Sequence, residues 1–141
     1  MSSAGINTIR GKGSDGGPAY VYEYRADKNR MIAKYIGVWD EATAKRALAD
    51  FRTMLTAVSS RSPKFTLLDD FTAFGSQPKE TTEVNSQFDA IARSFGITRN
   101  ALVVPDGNIR RELRHTLQDF YANRIFVTFE EAETWLSEIE P

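Results

Sequence analysis

The sequence predicts an α/β domain whose single mixed β-sheet is flanked by about four helices. Short runs of aromatic and branched residues alternate with longer segments in which apolar residues recur at helical spacing. The first two runs are joined by a few turn residues, and so short a connection requires an antiparallel hairpin. The later runs are separated by helical segments, which implies parallel strands joined by right-handed crossovers. The expected order of elements is β-β-α-β-α-β-α-β-α.

Composition places the chain among ordinary globular domains. It has 141 residues, of which 41% are hydrophobic and 26% are charged, so it can bury a core and is not generally disordered. Because the formal net charge is −1, the protein as a whole does not attract polyanions, and we expect no nucleic-acid partner. The absence of cysteine excludes disulfides, thiolate metal sites and cysteine nucleophiles.

The sequence also bears on the compartment. Residues 1–10 are polar and lack the apolar centre of a secretory signal. The apolar run at residues 101–104 is far shorter than a bilayer span requires. We therefore expect a cytoplasmic protein with no integral membrane segment.

The start of the chain differs from the rest. Residues 1–18 are rich in turn-forming residues, with Ser and Asp beside Gly11, Gly13, Gly16, Gly17 and Pro18, and such a stretch has little to bury. We expect a flexible leader at residues 1–18 and one domain at residues 19–141. In the alternative reading, residues 6–10 add a short edge strand.

The first half of the domain predicts a hairpin and a helix. Residues 20–24 and 31–38 are rich in aromatic and branched residues, and turn residues lie between them. Asp40 can cap the helix that follows. The apolar residues of that helix recur at helical spacing and define one buried face: Ala44, Ala47, Leu48, Phe51, Leu55 and Val58.

The second half predicts three strands, at residues 65–68, 101–104 and 125–127, each followed by a helix. Gly96 is a candidate stop for the first of these helices, and Thr128 with Glu131 has the spacing of a capping box before the last. The inward-facing residues are, in turn, Val84, Phe88, Ile91, Ala92 and Phe95; Ile109, Leu113, Leu117 and Phe120; and Ala132, Trp135, Leu136 and Ile139.

Three features of the sequence are typical of one known family. They are the order of elements, the strand-turn-strand-helix opening at residues 20–58, and the ending Ile-Phe-Val-Thr-Phe-Glu-Glu-Ala-Glu-Thr-Trp-Leu at residues 125–136. Over residues 19–141 the chain resembles the STAS group, the domain of sulphate-transporter tails and anti-sigma-factor antagonists. The resemblance implies a non-enzymatic module that binds a partner protein, a nucleotide or an apolar ligand.

In the antagonist branch a phosphorylatable serine follows the third strand, in an Asp-Ser-Ser-Gly-like turn. The corresponding residues 69–82 of this chain lack the Asp-Ser pair, but Ser76, Thr81 and Thr82 lie in the same region. They could accept a phosphoryl group or bind an anion at the start of the helix. The simpler reading, which we favour, is that a hydroxyl caps that helix without modification.

Three carboxylates lie at predicted strand ends: Asp69, Asp70 and Asp106. In open α/β sheets the crevice at these ends is a common ligand position, and three carboxylates there could hold Mg²⁺. Aspartate is equally an ordinary turn and cap residue. We favour that reading, and we predict no metal ion, no cofactor and no catalytic residue.

A basic cluster lies on the third predicted helix and comprises Arg110, Arg111, Arg114 and His115. It could bind a phosphate group or an acidic patch on a partner. A solvated helix face has the same composition, and we favour it.

Phe71 and Phe74 fall in the predicted loop after the third strand, where neither helical nor strand spacing requires large apolar residues. Either they fold back over the core, or they line a pocket or a contact surface. Together with Trp39, which follows another strand, they could form an apolar mouth. We expect the functional surface there.

These observations favour a non-catalytic STAS-like regulatory or binding module that acts through protein–protein contacts or a small ligand. The alternative is a protein that binds an apolar ligand or lipid in a cavity between sheet and helices. The least favoured class is a metal-dependent enzyme that uses the three aspartates. Whether the protein forms a homodimer stays open.

Overall fold

The computed structural model describes residues 6–116 and 123–138. In that part of the chain six strands form one sheet in the order β1-β2-β3-β4-β5-β6. The strands are β1 (Thr8–Lys12), β2 (Pro18–Arg25), β3 (Arg30–Gly37), β4 (Phe65–Phe74), β5 (Ile97–Val103) and β6 (Asn123–Phe126).

The predicted mixed sheet is confirmed. β2 and β3 form the antiparallel hairpin, with Tyr22 opposite Ala33. The pairs β3–β4, β4–β5 and β5–β6 are all parallel. The hairpin turn contains Asn29 at a φ of 50°, the left-handed region that asparagine tolerates better than most residues.

Part of the expected leader lies in the sheet. β1 (Thr8–Lys12) pairs antiparallel with β2, with Ile9 opposite Tyr22. The Arg61 guanidinium donates to the Asn7 side chain over 2.7 Å and to the Ile6 carbonyl. The edge-strand reading therefore describes these residues better than a leader flexible throughout.

The helices are α1 (Glu41–Arg61), α2 (Lys79–Asn85), α3 (Gln87–Arg93), α4 (Gly107–Thr116) and α5 (Phe129–Leu136). Asp40 caps α1 as predicted, because its Oδ1 accepts a 2.8 Å hydrogen bond from the Thr43 N–H. The predicted capping box of Thr128 and Glu131 begins α5. Of the described helices, none is both long and apolar enough to span a membrane.

The second predicted helix is divided in two. α2 ends at Asn85 and α3 begins at Gln87, and Ser86 lies between them. Val84, Ile91 and Ala92 are buried as expected, whereas Phe88 and Phe95 are half-buried. Gly96 does not end the helix, because α3 already ends at Arg93. Instead it allows close backbone packing, since a Cβ at position 96 would lie 1.9 Å from the Pro63 carbonyl oxygen.

Some predicted inward positions lie outside the described residues. Ile109 on α4 is buried. Leu117, Phe120 and Ile139 fall outside residues 6–116 and 123–138, and the side chain of Leu113 is also not described.

The two faces of the sheet bury separate sets of side chains. On β4, Leu67 packs in the cluster with residues of α1, α2 and α3, and Leu68 packs with α5 on the other face. Because side chains alternate along a strand, Asp69 shares the face of Leu67 and Asp70 lies on the opposite face. This alternation places one carboxylate of the pair beneath the helices.

Candidate functional site

A cavity of about 310 Å³ lies between the sheet and helices α2, α3 and α4. We call it the Asp69 cavity. Its walls are mainly aromatic and aliphatic, with a few polar side chains, which is the usual composition of a small-molecule site. The lining residues are Tyr35, Trp39, Phe51, Asp69, Phe71, Phe74, Gly75, Gln77, Thr82, Asn85, Phe88, Asp89, Ala92, Asn100, Leu102 and Ile109.

The aromatic wall is a continuous set of ring contacts. Tyr35 stacks on Phe71 with ring centroids 4.7 Å apart. Trp39 meets Phe74 edge to face at 5.0 Å, and Phe88 on α3 lies 5.0 Å from the ring of Phe51 on α1. Tyr35 also meets Phe88 edge to face at 5.9 Å, and this contact ties the rings on β3 and β4 to helix α3.

The expectation that Phe71 and Phe74 lie in a loop is wrong. β4 continues to Phe74, well beyond residue 68, where the apolar run of the sequence ends. Both rings are half-buried, pack against the core cluster and also line the Asp69 cavity. The structure thus combines the two readings that the sequence left open, core packing and pocket lining.

Trp39 also joins this wall, but as a buried side chain rather than an open mouth. It is 2% exposed, and its indole N–H donates to the carbonyls of Ala19 and Ile36 over 3.2 and 3.1 Å. Its backbone N–H donates to Gln77 Oε1 over 2.9 Å. These bonds fix the turn between β3 and α1 against the segment that follows β4.

Asp69 is the buried polar centre of the cavity wall. Its Oδ1 accepts a 2.9 Å hydrogen bond from the Tyr35 hydroxyl, and its Oδ2 accepts one of 2.9 Å from the Asn100 amide. Burial raises the pKa of Asp69 to about 6, although these two hydrogen bonds act in the opposite direction. Burial also raises the pKa of Tyr35 well above its ordinary value, so the phenol stays protonated.

Two further polar side chains line the cavity from the helices. Asp89 on α3 is buried and forms an ion pair with Arg93 at 3.1 Å. The Oδ1 atom of Asn85 on α2 is buried and accepts no hydrogen bond from the described residues. Thr82 is exposed and marks where the cavity reaches the surface.

The three predicted carboxylates have separate surroundings. Asp70 accepts a 2.9 Å hydrogen bond from the Thr72 N–H, and Asp106 accepts bonds from the first N–H groups of α4, at Asn108 (2.8 Å) and Ile109 (3.2 Å). Asp69 alone of the three lines the cavity. Within the described chain no group of three acidic or histidine side chains is placed to hold a metal ion.

The three hydroxyl residues differ in exposure. Ser76 and Thr82 are exposed, whereas Thr81 is fully buried and donates to the Pro78 carbonyl over 2.9 Å. The expected hydroxyl cap is wrong, because Pro78 occupies the cap position of α2 and no side chain completes it. A phosphoryl group on Thr81 would require that residue to leave the core.

The basic cluster is partly engaged with its own loop. Arg110 donates to the carbonyls of Val104 and Pro105 over 2.7 and 2.9 Å, and Arg111 donates to Asn108 over 3.2 Å. The backbone of Arg114 and His115 belongs to α4, and their side chains are not described.

Several cavity residues were not singled out from the sequence: Tyr35, Asn85, Asp89 and Asn100. One signal was available, since Asp69 follows Phe65 and Leu67 at the spacing of one strand face and Asn100 directly precedes a buried apolar run. A polar residue on a buried strand face is a candidate site residue. The helix residues Asn85 and Asp89 gave no such signal.

No known family model and no curated protein matches the sequence, but solved structures match the fold. The anti-sigma factor antagonist SpoIIAA in its unphosphorylated form is 16% identical, with a TM-score of 0.58 over 86% of this chain and 100% of that chain. An uncharacterised DUF3478-family protein from Shewanella loihica, described as having a SpoIIAA-like fold, is 14% identical, with a TM-score of 0.59 over 96% of this chain and 98% of that chain. The chain therefore has a STAS-like fold, as its sequence resemblance implies.

Proposed function

We propose that the protein is a non-catalytic binding module whose Asp69 cavity takes a small, mainly apolar ligand. The observation that carries the proposal is the cavity itself: about 310 Å³, walled by six aromatic side chains, with polar groups confined to a few positions. A volume of this order suits a small organic molecule. Filling it would restore the dispersion contacts that the lining atoms otherwise lack.

The chemistry of the polar lining supports binding rather than catalysis. The Asp69 carboxylate accepts hydrogen bonds from the Tyr35 phenol and the Asn100 amide. Neither the protonated phenol nor the amide is a nucleophile. The pKa of Tyr35 is raised well above its ordinary value by burial, so its hydroxyl remains a weak nucleophile. The described lining residues include no Ser, Cys, Lys or His.

A protein partner is the second candidate, and one observation favours it. Val38, the residue directly after β3, is 66% exposed and lies beside Gly75, near the cavity wall formed by Trp39. An exposed branched residue next to a cavity suits a contact surface whose shape depends on what the cavity holds. Val38→Asp would weaken such a contact and leave small-molecule binding unchanged.

The proposal can be tested with N-phenyl-1-naphthylamine, a neutral apolar probe that becomes fluorescent in an apolar site. Thr82→Trp places a large ring at the cavity opening and should reduce probe binding at least about tenfold, because the ring occupies the entry. Thr134→Trp is the matched control: Thr134 is an exposed threonine on α5 that does not line the cavity. Equal binding by both variants and the unmodified protein would show that the probe binds elsewhere.

A further inference from the structure

We propose that the ligand of the Asp69 cavity is an organic cation: an apolar body with a protonated amine at one end. This inference rests on the proposed function and narrows it to one chemical class. It follows from the charge of the cavity wall, from the position of the carboxylates and from the aromatic rings around them.

The first step concerns charge balance. Asp69 is 7% exposed, and its hydrogen-bond partners, Tyr35 and Asn100, are both neutral. With a pKa of about 6, its carboxyl group is mostly ionised at neutral pH. A buried carboxylate is costly unless a positive charge faces it, and an ammonium group in the cavity would supply that charge.

The second step concerns the rest of the wall. Asp89 adds a second carboxylate, and its charge is shared with Arg93. Of the residues described as lining the cavity, none is Lys, Arg or His. A ligand carboxylate or phosphate would therefore meet acidic groups with no cation on the wall, and such like-charge contacts oppose binding.

The third step concerns the apolar part of the wall. The rings of Tyr35, Trp39, Phe71, Phe74 and Phe88 surround the cavity and can attract a cation through their negative faces. Asn85 Oδ1 adds a buried acceptor that receives no hydrogen bond from the described chain. Acceptors and aromatic faces thus dominate the lining, and both favour a ligand that donates hydrogen bonds.

The test uses three probes that share one apolar body and differ only at the end: 4-phenylbutylamine, 4-phenylbutanol and 4-phenylbutyrate. Isothermal titration calorimetry with the full chain at pH 7.5 compares their affinities. We expect the amine to bind at least about tenfold tighter than the alcohol, a difference of about 1.4 kcal/mol. We expect the carboxylate to bind more weakly than either.

Asp69→Asn should reduce amine affinity about tenfold and leave alcohol affinity nearly unchanged. Asp70→Asn is the matched control, because Asp70 is the neighbouring carboxylate on the opposite face of β4 and does not line the cavity. Circular dichroism verifies that both variants fold. If Asp69→Asn fails to fold, the preference of the unmodified protein among the three probes still decides the question.

Amine affinity should also fall as the pH is lowered from 7.5 to 5, since Asp69 becomes protonated. Three groups face Asp69 on its side of the sheet: Tyr35 from β3, Asn100 from β5 and Asp89 from α3, which is paired with Arg93. The charge of Asp70, on the opposite face of β4, also raises the pKa of Asp69. Alcohol binding at least as tight as amine binding would overturn the ligand class and leave the cavity proposal in place. Binding of none of the three probes would overturn both.

Discussion

The Tyr35 hydroxyl donates a 2.9 Å hydrogen bond to the Asp69 carboxylate across the parallel strands β3 and β4. Both groups are buried, and burial raises the pKa of each. Buried pairs of this kind are satisfied only while both strands keep their register. The bond therefore fixes the floor of the Asp69 cavity and couples its polar centre to the stability of the sheet.

The stability of the protein should depend on the protonation of Asp69. Its pKa is raised from 3.8 to about 6 on folding, so the folded state binds the proton more tightly than the unfolded state. The contribution of Asp69 to the free energy of unfolding is therefore largest below about pH 4 and falls as the pH rises through 6. Between the limits of low and high pH, this contribution to the free energy of unfolding changes by about 3 kcal/mol in total.

Urea unfolding of the unmodified protein and of Asp69→Asn at pH 4 and pH 7 measures this pH dependence. The other carboxylates contribute equally to the two proteins, so the difference between them isolates Asp69. The stability of Asp69→Asn relative to the unmodified protein should increase by about 2.5 kcal/mol from pH 4 to pH 7, most of the total change. Tyr35→Phe serves as a control: it removes a hydrogen bond that lowers the pKa of Asp69, so it should extend the dependence to higher pH. A difference that stays constant with pH would contradict the account.

The hairpin, the parallel strands and the caps of α1 and α5 could be predicted from sequence because they depend on local patterns. Turn residues, alternation and the capping positions Asp40 and Thr128 each act within a few residues of the chain. β1 was only the alternative interpretation of residues 6–10, because the glycines around it are typical of a flexible leader. The extension of β4 could not be predicted from local pattern, because its strand conformation depends on hydrogen bonds to β3, which is distant in sequence.

The candidate site was located only in part, for the same reason. Asp69, Phe71, Phe74 and Trp39 were identified from chemistry that is unusual for their local context. Asn85 and Asp89 line the cavity because α2 and α3 pack against α1 and over the sheet. A helix position that faces a cavity has the same spacing in sequence as one that faces a filled core, so only tertiary packing distinguishes them.

Truncation of Phe51 should cost more stability than truncation of Phe88. Phe51 is 2% exposed and contacts Tyr22 as well as Phe88, so Phe51→Ala should lower the free energy of unfolding by about 3–5 kcal/mol. Phe88 is half-buried and borders the cavity, where one side of the ring already lacks packing partners. Phe88→Ala should cost about 2 kcal/mol. Denaturant titration of the two variants compares them, and equal losses would mean that the cavity is filled by the surrounding side chains.

A methyl group should not be tolerated at position 96. The Cβ of Gly96→Ala would lie 1.9 Å from the Pro63 carbonyl oxygen, and a backbone atom cannot move aside as a flexible side chain can. We expect a loss of about 2–3 kcal/mol or more. Gly107→Ala is the matched control, because its Cβ would meet only the Arg110 side chain at 3.6 Å and should change stability by less than about 1 kcal/mol. Thermal unfolding of the two variants tests the contrast, and equal melting temperatures would contradict it.

Removal of the first eighteen residues should destabilise the domain. β1 pairs with β2, and Ile6 and Ile9 pack against the main core cluster. A chain that begins at Ala19 should lose on the order of 3 kcal/mol, at about 1 kcal/mol for each ladder hydrogen bond. Melting temperatures of the full and shortened chains decide the matter. A shift of less than a few degrees would show that β1 contributes little and that the leader is dispensable.

Native mass spectrometry of the protein purified without refolding shows directly whether the Asp69 cavity holds a ligand, because it reports bound molecules and oligomeric state together. We expect a complex that exceeds the mass of the denatured chain by one small organic molecule. That added mass should be absent from Thr82→Trp and present in the control Thr134→Trp. A protein that carries no added mass, and that acquires none when titrated with the neutral and cationic apolar probes, would contradict the claim that the Asp69 cavity is a ligand site.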